Sequence, residues 1–376
     1  MRQLNLHLLR WLCVGLALVG AGAGILLPPA PAAAQIGVVY YVALAGDDSN
    51  TGVAWGKAFR TLQRALTVAE AGAQIWVAAG TYYPNEGLVV LPSDPRDATF
   101  ALKSGVAVYG GFVGTEVTLG ERDSAANVTI LSGDLEQNDT PDFGNIADNA
   151  YHVVTSNANS VSTILDGFTI TAGNASGSDL SRDIGGGIYT GGSSFAQLSN
   201  LIITYNSAVS GGGGIYNSIS NVSLADVDVT YNRTAGTGGG IRNFVGNPSF
   251  TDILIAYNTA ENGGGGVLNQ GTSTTYAFTN VTLIGNTANA PGGAIFNNGG
   301  SNFFSYVTIH SNHATTGGGI YNNSGSQIYI NTTVISNTAE SGGGGISNNG
   351  GSPQYTNLLV AGNATLGNGG GGCPQQ

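Results

Sequence analysis

Charge is what this chain most lacks. Asp, Glu, Lys and Arg together make 9% of its 376 residues, against about a quarter in an ordinary globular protein. Lysine is reduced to Lys57 and Lys103. Cysteine is reduced to Cys13 and Cys373, and proline to 11 residues. Few charges and few strong helix formers exclude a helical bundle. The 61 glycines follow no three-residue period and little proline accompanies them, which excludes collagen. With 41% apolar residues, wholesale disorder is excluded as well. The composition that remains is that of a β-rich, turn-rich chain long enough to bury a large core.

The first 34 residues stand apart. Arg2 and Arg10 form a basic start, Trp11 to Leu27 is an apolar run, and Ala32 and Ala34 occupy the small-residue positions before Gln35. This pattern predicts a secretory signal peptide over residues 1–34, cleaved near Ala34, and a mature protein that is secreted or at the cell surface. An uncleaved anchor is the alternative. Cys13 lacks the small residues that precede a lipidated cysteine. Removal of the leader takes away Arg2 and Arg10 and leaves 9 Lys and Arg against 22 Asp and Glu, a formal charge of −13. That balance disfavours nucleic acid and anionic membranes as partners. No further segment is apolar enough to span a bilayer. Cys373 is then the single cysteine, so no intrachain disulfide forms.

The second half repeats itself. Copies of a Gly-Gly-x-Ile motif place an aliphatic residue at Ile188, Ile215, Ile241, Val267, Ile295, Ile320 and Ile346, with steps of 27, 26, 26, 28, 25 and 26. An asparagine recurs alongside at Asn206, Asn232, Asn258, Asn286, Asn312, Asn337 and Asn363. Two markers sharing one irregular period define a solenoid. The segment before each asparagine alternates, as in Leu201 and Ile203, Val227 and Val229, Ile253 and Ile255. Period two with β-branched residues is a strand with one buried face. The predicted fold is therefore all-β, a single-stranded right-handed parallel β-helix of about 26 residues per rung, with roughly ten or more rungs. Rungs stack about 4.8 Å apart, so like residues lie above one another. The asparagines are expected to form a hydrogen-bonded ladder in a turn. Tyr205, Tyr231 and Tyr257 share one column and are expected to stack.

The organisation expected is a leader over 1–34, a cap and first rungs over 35–98, and the β-helix over 99–376, regular from about residue 185. Residues 59–72 carry apolar positions at helical spacing (Leu62, Ala65, Leu66, Ala69) and close on Gly72, which suits a capping helix. At the other end Cys373 falls in the next aliphatic slot. An open or truncated C-terminus follows as an expectation, with self-association through that end as its alternative.

Two resemblances attach to these residues. The run YYVALAGDDSNTGVAWGKAFRTLQRAL followed by IWVAAGTYYP, with YGGFVGTE and LDGFTITAGNA further on, resembles secreted bacterial right-handed β-helix proteins of the pectate-lyase-like superfamily. The Gly-Gly-x-Ile copies are similar to the chlamydial polymorphic outer membrane protein repeat; GGAI stands literally at 292–295. That repeat's FxxN signature is missing, since Ile203, Val229, Ile255, Leu283, Ile309, Val334 and Val360 stand where Phe would be. The resemblances imply a fold more than a function, because a β-helix hosts lyases, hydrolases, adhesins and stalks alike.

Lyases of the first group imply carboxylates holding calcium and a Lys or Arg as base. Both lysines precede the regular rungs. Asp226 and Asp228 lie on one strand, and Asp252 lies one rung above Asp226. These three are weak candidate Ca2+ ligands, with Arg233 or Arg242 as a nearby base. The competing reading places Asp226 and Asp252 in a turn column otherwise filled by Asn200, Asn280, Asn331 and Asn357. The acidic run 132–149 (Asp134, Glu136, Asp139, Asp142, Asp148) matches no EF-hand spacing and reads as a solvated loop. GDDSNTG at 46–52 reads as a turn. His310 and His313 read as exposed polar residues rather than metal ligands. No catalytic residue and no obligatory cofactor is assigned. The reading favoured by sequence is a non-enzymatic, adhesin- or passenger-like surface protein that binds glycan or protein weakly and multivalently. A polysaccharide lyase or glycoside hydrolase acting on acidic polysaccharide is the alternative. An ice-binding face is disfavoured, because the outward column Thr204, Thr230, Ala256, Ile284, His310, Ile335, Ala361 is no regular threonine array.

Overall fold

The computed structural model describes residues 37–179, 181–272 and 274–367. The segment 1–34, expected from the sequence to be a signal peptide, and Cys373, with its expected aliphatic slot, lie outside them. The described chain is a parallel β-solenoid built from three sheets of 15, 8 and 9 strands, here called sheets I, II and III. One regular turn shows the construction. Ile215–Ser218 contributes to sheet III, Ser223–Thr230 to sheet I and Arg233–Thr234 to sheet II. A glycine run then returns the chain to sheet III at Ile241–Phe244. Each strand pairs in parallel with its counterpart about 26 residues later, as Val227↔Ile253 and Ile215↔Ile241. Along sheet I seven regular levels, from Gln197–Thr204 to Gln354–Ala361, follow four less regular ones that begin at Val39–Val42. The right-handed sense expected from the sequence is the one strand twist favours for parallel crossovers.

The alternating residues behave as their period dictates. Leu201, Ile203, Val227, Val229, Ile253 and Ile255 are buried, and so is the glycine-flanked column from Ile188 to Ile320. Phe250, Phe278, Phe304, Tyr329 and Tyr355 stack through the interior with centroids 4.5, 5.0, 4.7 and 5.3 Å apart.

The asparagine ladder forms as expected. Asn206, Asn232, Asn258, Asn286, Asn312 and Asn337 are buried. Asn206 accepts, through Oδ1, the backbone N–H of Gly173 at 2.9 Å, and each later member accepts that of the asparagine one level earlier, at 3.0 Å for Asn206 to Asn232, 2.9 Å for Asn232 to Asn258 and 2.9 Å for Asn337 to Asn363. Each Nδ2 also reaches a strand carbonyl of the preceding level, as Asn258 to Val229 O at 2.8 Å. A second ladder runs up sheet III through Asn217, Asn243, Asn269, Asn297, Asn322 and Asn348, with Nδ2–Oδ1 distances of 2.7 to 2.9 Å.

The glycine runs have a steric cause. Gly238 is left-handed at φ 69°. A Cβ on Gly239 would lie 2.4 Å from the Thr259 carbonyl oxygen and 2.5 Å from that of Gly265, so only a bare backbone fits between levels there.

Two expectations change. The Asn200/Asp226/Asp252/Asn280/Asn331/Asn357 column is not a turn. It lies inside the eight-residue strands of sheet I as a left-handed kink, with φ between 50° and 57°. Asn and Asp tolerate that region better than other side chains. The helix predicted over 59–72 is confined to α1, Leu62–Val68. It opens on Thr61, whose hydroxyl accepts from Arg64 N, and it buries Leu62, Gln63, Ala65 and Leu66.

Replacing Asn258 by Ala would strand the Asn232 N–H and the Val229 carbonyl in the interior. A loss of about 2–4 kcal/mol is expected, from about 1–3 kcal/mol for each orphaned group, and urea unfolding of the variant measures it. A loss below about 0.5 kcal/mol would mean that the ladder contributes little net stability.

Candidate functional site

A groove of about 350 Å3 opens on the outer face of sheet I. Asp226, Asp228 and Asp252 all line it, with Asn200, Leu201 and Ile202 as its floor and Ser124–Thr129 as one wall. The three carboxylates singled out by sequence are therefore gathered on one concave surface. Asp226 and Asp252 project from the left-handed kinks of adjacent strands, and Asp228 lies two residues beyond on the first. Asp252 accepts a hydrogen bond from Asn280 Nδ2 one level on. Desolvation holds the Asp228 carboxyl above the usual aspartate range.

The base expected beside them is not there. Arg233 belongs to sheet II, where its guanidinium lies 3.9 Å from the centroid of the Phe143 ring. Arg242 belongs to sheet III and stands over Tyr216 at 5.3 Å. Sequence reading missed instead an ion pair beneath the groove's edge. Arg122 pairs with Asp166, whose side chains are only 17% and 9% exposed. The second Asp166 oxygen accepts from Ser199 Oγ at 2.5 Å and Asn200 Nδ2 at 2.8 Å. Asp166 is thus fully engaged, and Arg122 is committed to it. Among the described residues no group of three or more His, Cys, Asp or Glu is arranged to hold a metal ion.

The acidic run 132–149 lines a second cavity of about 480 Å3, to which Asp134, Asp139, Asp142, Phe143 and Tyr205 contribute. Its carboxylates mostly close local turns. Asp134 accepts from the backbone N–H groups of Asn138 (3.0 Å) and Asp139 (3.1 Å), and Asp148 from that of Glu136 (3.2 Å). Asp139 accepts from Asn149 Nδ2 at 2.9 Å, while its buried Oδ1 has no partner. Desolvation raises its pKa. GDDSNTG is the turn expected: Asp48 accepts from the N–H groups of Arg60 and Thr61, both at 2.9 Å, and so fixes the start of α1. His310 and His313 fall in sheets I and II, on either side of a corner.

From the edge of this cavity runs the tyrosine column. Tyr205, Tyr231 and Tyr257 stack in parallel with centroids 5.4 and 5.1 Å apart. Phe143 meets Tyr205 at 6.0 Å. All three tyrosines are left-handed, with φ of 54°, 54° and 56°. That conformation costs about 1–2 kcal/mol for a residue with a Cβ, and ring stacking returns about 0.5–1.5 kcal/mol per pair.

No protein-family model matches the chain, and no curated protein sequence matches it. Two solved structures are similar to it. One is the crystal structure of pectate lyase Pel9A, at 13% identity and a TM-score of 0.45, covering 86% of this chain and 79% of that one. The other is a rhamnogalacturonan lyase, at 14% identity and a TM-score of 0.31, covering 74% and 82%. Both neighbours are polysaccharide lyases. The fold described above rests on the strand pairing, and the similarity of the Gly-Gly-x-Ile copies to the chlamydial repeat is one of motif alone.

The raised pKa of Asp228 has a definite sign for stability. A folded-state pKa above the unfolded value, about 3.9, means that ionisation opposes folding. The penalty is absent below pH 3.9 and grows as pH rises through the folded pKa. Asp228→Asn should therefore stabilise the protein at pH 7, by less than about 1 kcal/mol because solvent screens the group. It should leave stability unchanged at pH 3. Urea unfolding at both pH values checks this; a destabilised variant at pH 7 would reveal a stabilising partner for the carboxylate.

Proposed function

We propose that this chain is an exported, non-catalytic β-solenoid that holds extracellular glycan by weak contacts repeated along its outer columns. The composition of the sheet I groove carries the reading. Three carboxylates line it, no basic side chain among the described residues lines it, and the guanidinium of Arg122 is taken up by Asp166. Proton abstraction from a uronate needs a base, and binding of an acidic polymer needs positive charge. The groove offers the opposite sign. Export rests on the leader at 1–34, and α1 is taken to close the first level of the solenoid. A second reading, hydrolysis by an Asp226–Asp228 pair, draws on the raised pKa of Asp228, which suits a general acid.

A panel of neutral and acidic polysaccharides, with and without Ca2+, separates the two. Affinity electrophoresis should show retardation of the protein by at least one glycan. Assays for reducing ends and unsaturated products should stay at the level of an Asp228→Ala control. Product release above that control would establish an enzyme and overturn the proposal.

A further inference from the structure

The geometry points to the Tyr205–Tyr231–Tyr257 ladder as a binding strip for an uncharged β-1,4-linked glycan chain, aligned with the solenoid axis and ending in the cavity beside Tyr205. This rests on the glycan reading above and narrows it to one strip and one chemistry.

The fold does not ask for tyrosine in this column. At the other levels the same left-handed position is filled by Ala172, Gly285, Ser311, Ser336 and Gly362. Only three adjacent levels place a bulky ring there, in a conformation that opposes it, and leave it 45% to 48% exposed. Strain retained without a folding need points to use.

What the strip presents is polar. The rings cover one another's faces, so a partner meets their rims and hydroxyls. An aromatic rim carries partial positive charge and attracts oxygen lone pairs. The buried Tyr82, Tyr276 and Tyr329 each hydrogen-bond through the hydroxyl. The hydroxyls of Tyr205, Tyr231 and Tyr257 have no such partner among the described residues. Rings bearing uncommitted hydroxyls thus recur with centroids 5.4 and 5.1 Å apart, about the length of one pyranose in an extended β-linked chain. A polymer of equal units matches such a row; a folded protein surface does not. The sign of the charge sets the sugar. Asp134, Asp139 and Asp142 line the cavity at the Tyr205 end and repel a uronate. Arg233, the cation beside them, is laid over Phe143. The cavity, about 480 Å3, accommodates a terminal sugar.

Calorimetry on the full chain with cellohexaose, and with hexagalacturonate as the acidic control, tests this. The key variant changes Tyr205, Tyr231 and Tyr257 together to Ser, the residue the column already uses at Ser311 and Ser336. Tyr231→Phe removes one hydroxyl and keeps the ring, so it decides the matter should the triple variant fail to fold. The wild type should bind cellohexaose and not hexagalacturonate. The triple variant should lose about tenfold or more in affinity and Tyr231→Phe about threefold. Cellohexaose binding unchanged in the triple variant, or in Tyr231→Phe if that alone folds, would overturn the strip and leave glycan binding standing elsewhere. Binding of hexagalacturonate alone would overturn its chemistry. Failure of the wild type to bind any glycan of the wider panel would overturn the strip and the general reading together.

Discussion

A solenoid corner leaves backbone groups that no strand can pair, and here a buried asparagine amide pairs them. Oδ1 of each ladder residue takes the N–H of the residue below it in the column, and Nδ2 takes a carbonyl of the same lower level. The corner of one level is thus closed by the side chain of the next. Register follows, because a slip of one residue would empty every amide at once. The composition follows too. Like residues sit about 4.8 Å apart along each column, and like charges placed so destabilise a sheet. Columns are therefore built from Asn, Ser, Thr, Gly and Tyr, and charge falls to 9% of the chain. Asp226 and Asp252, adjacent in one column, are the exception inside the groove.

Much of this was legible because repetition samples the same environment many times. The aliphatic column, the asparagine ladder and the stacked tyrosines were read from spacing alone. The second ladder, from Asn217 to Asn348, leaves an equally regular signal two residues after each glycine-flanked aliphatic from Ile215 on, but next to the stronger aliphatic period it reads as part of the same motif. The Asn/Asp column reads as a turn in the sequence because a left-handed kink within a strand and a turn use the same residues. The sequence suggests a longer helix than α1, since apolar spacing continues through Ala69 although the last helical residue is Val68.

The site was less legible, for a reason of chain topology. One wall of the groove comes from Ser124–Thr129, and Arg122 meets Asp166 across 44 residues. Neither belongs to the repeat, so no column announced them. The same holds for Phe143, which joins Tyr205 from a loop outside the regular turns. Both concave surfaces lie where the irregular loops of the first half fold over the first regular levels. The regular part supplies a rigid, nearly uncharged lattice, and the insertions turn two patches of it into sites.

The central claim is that the asparagine ladder locks level to level. Native-state hydrogen exchange at the backbone amides of Asn232, Asn258, Asn286 and Asn312 tests it most directly, because those amides are held by side chains rather than by a strand partner. The account predicts exchange as slow as that of the central sheet I amides, through opening of whole levels. Exchange at the rate of an exposed turn would show that the corners open independently and that the ladder does not hold the solenoid together.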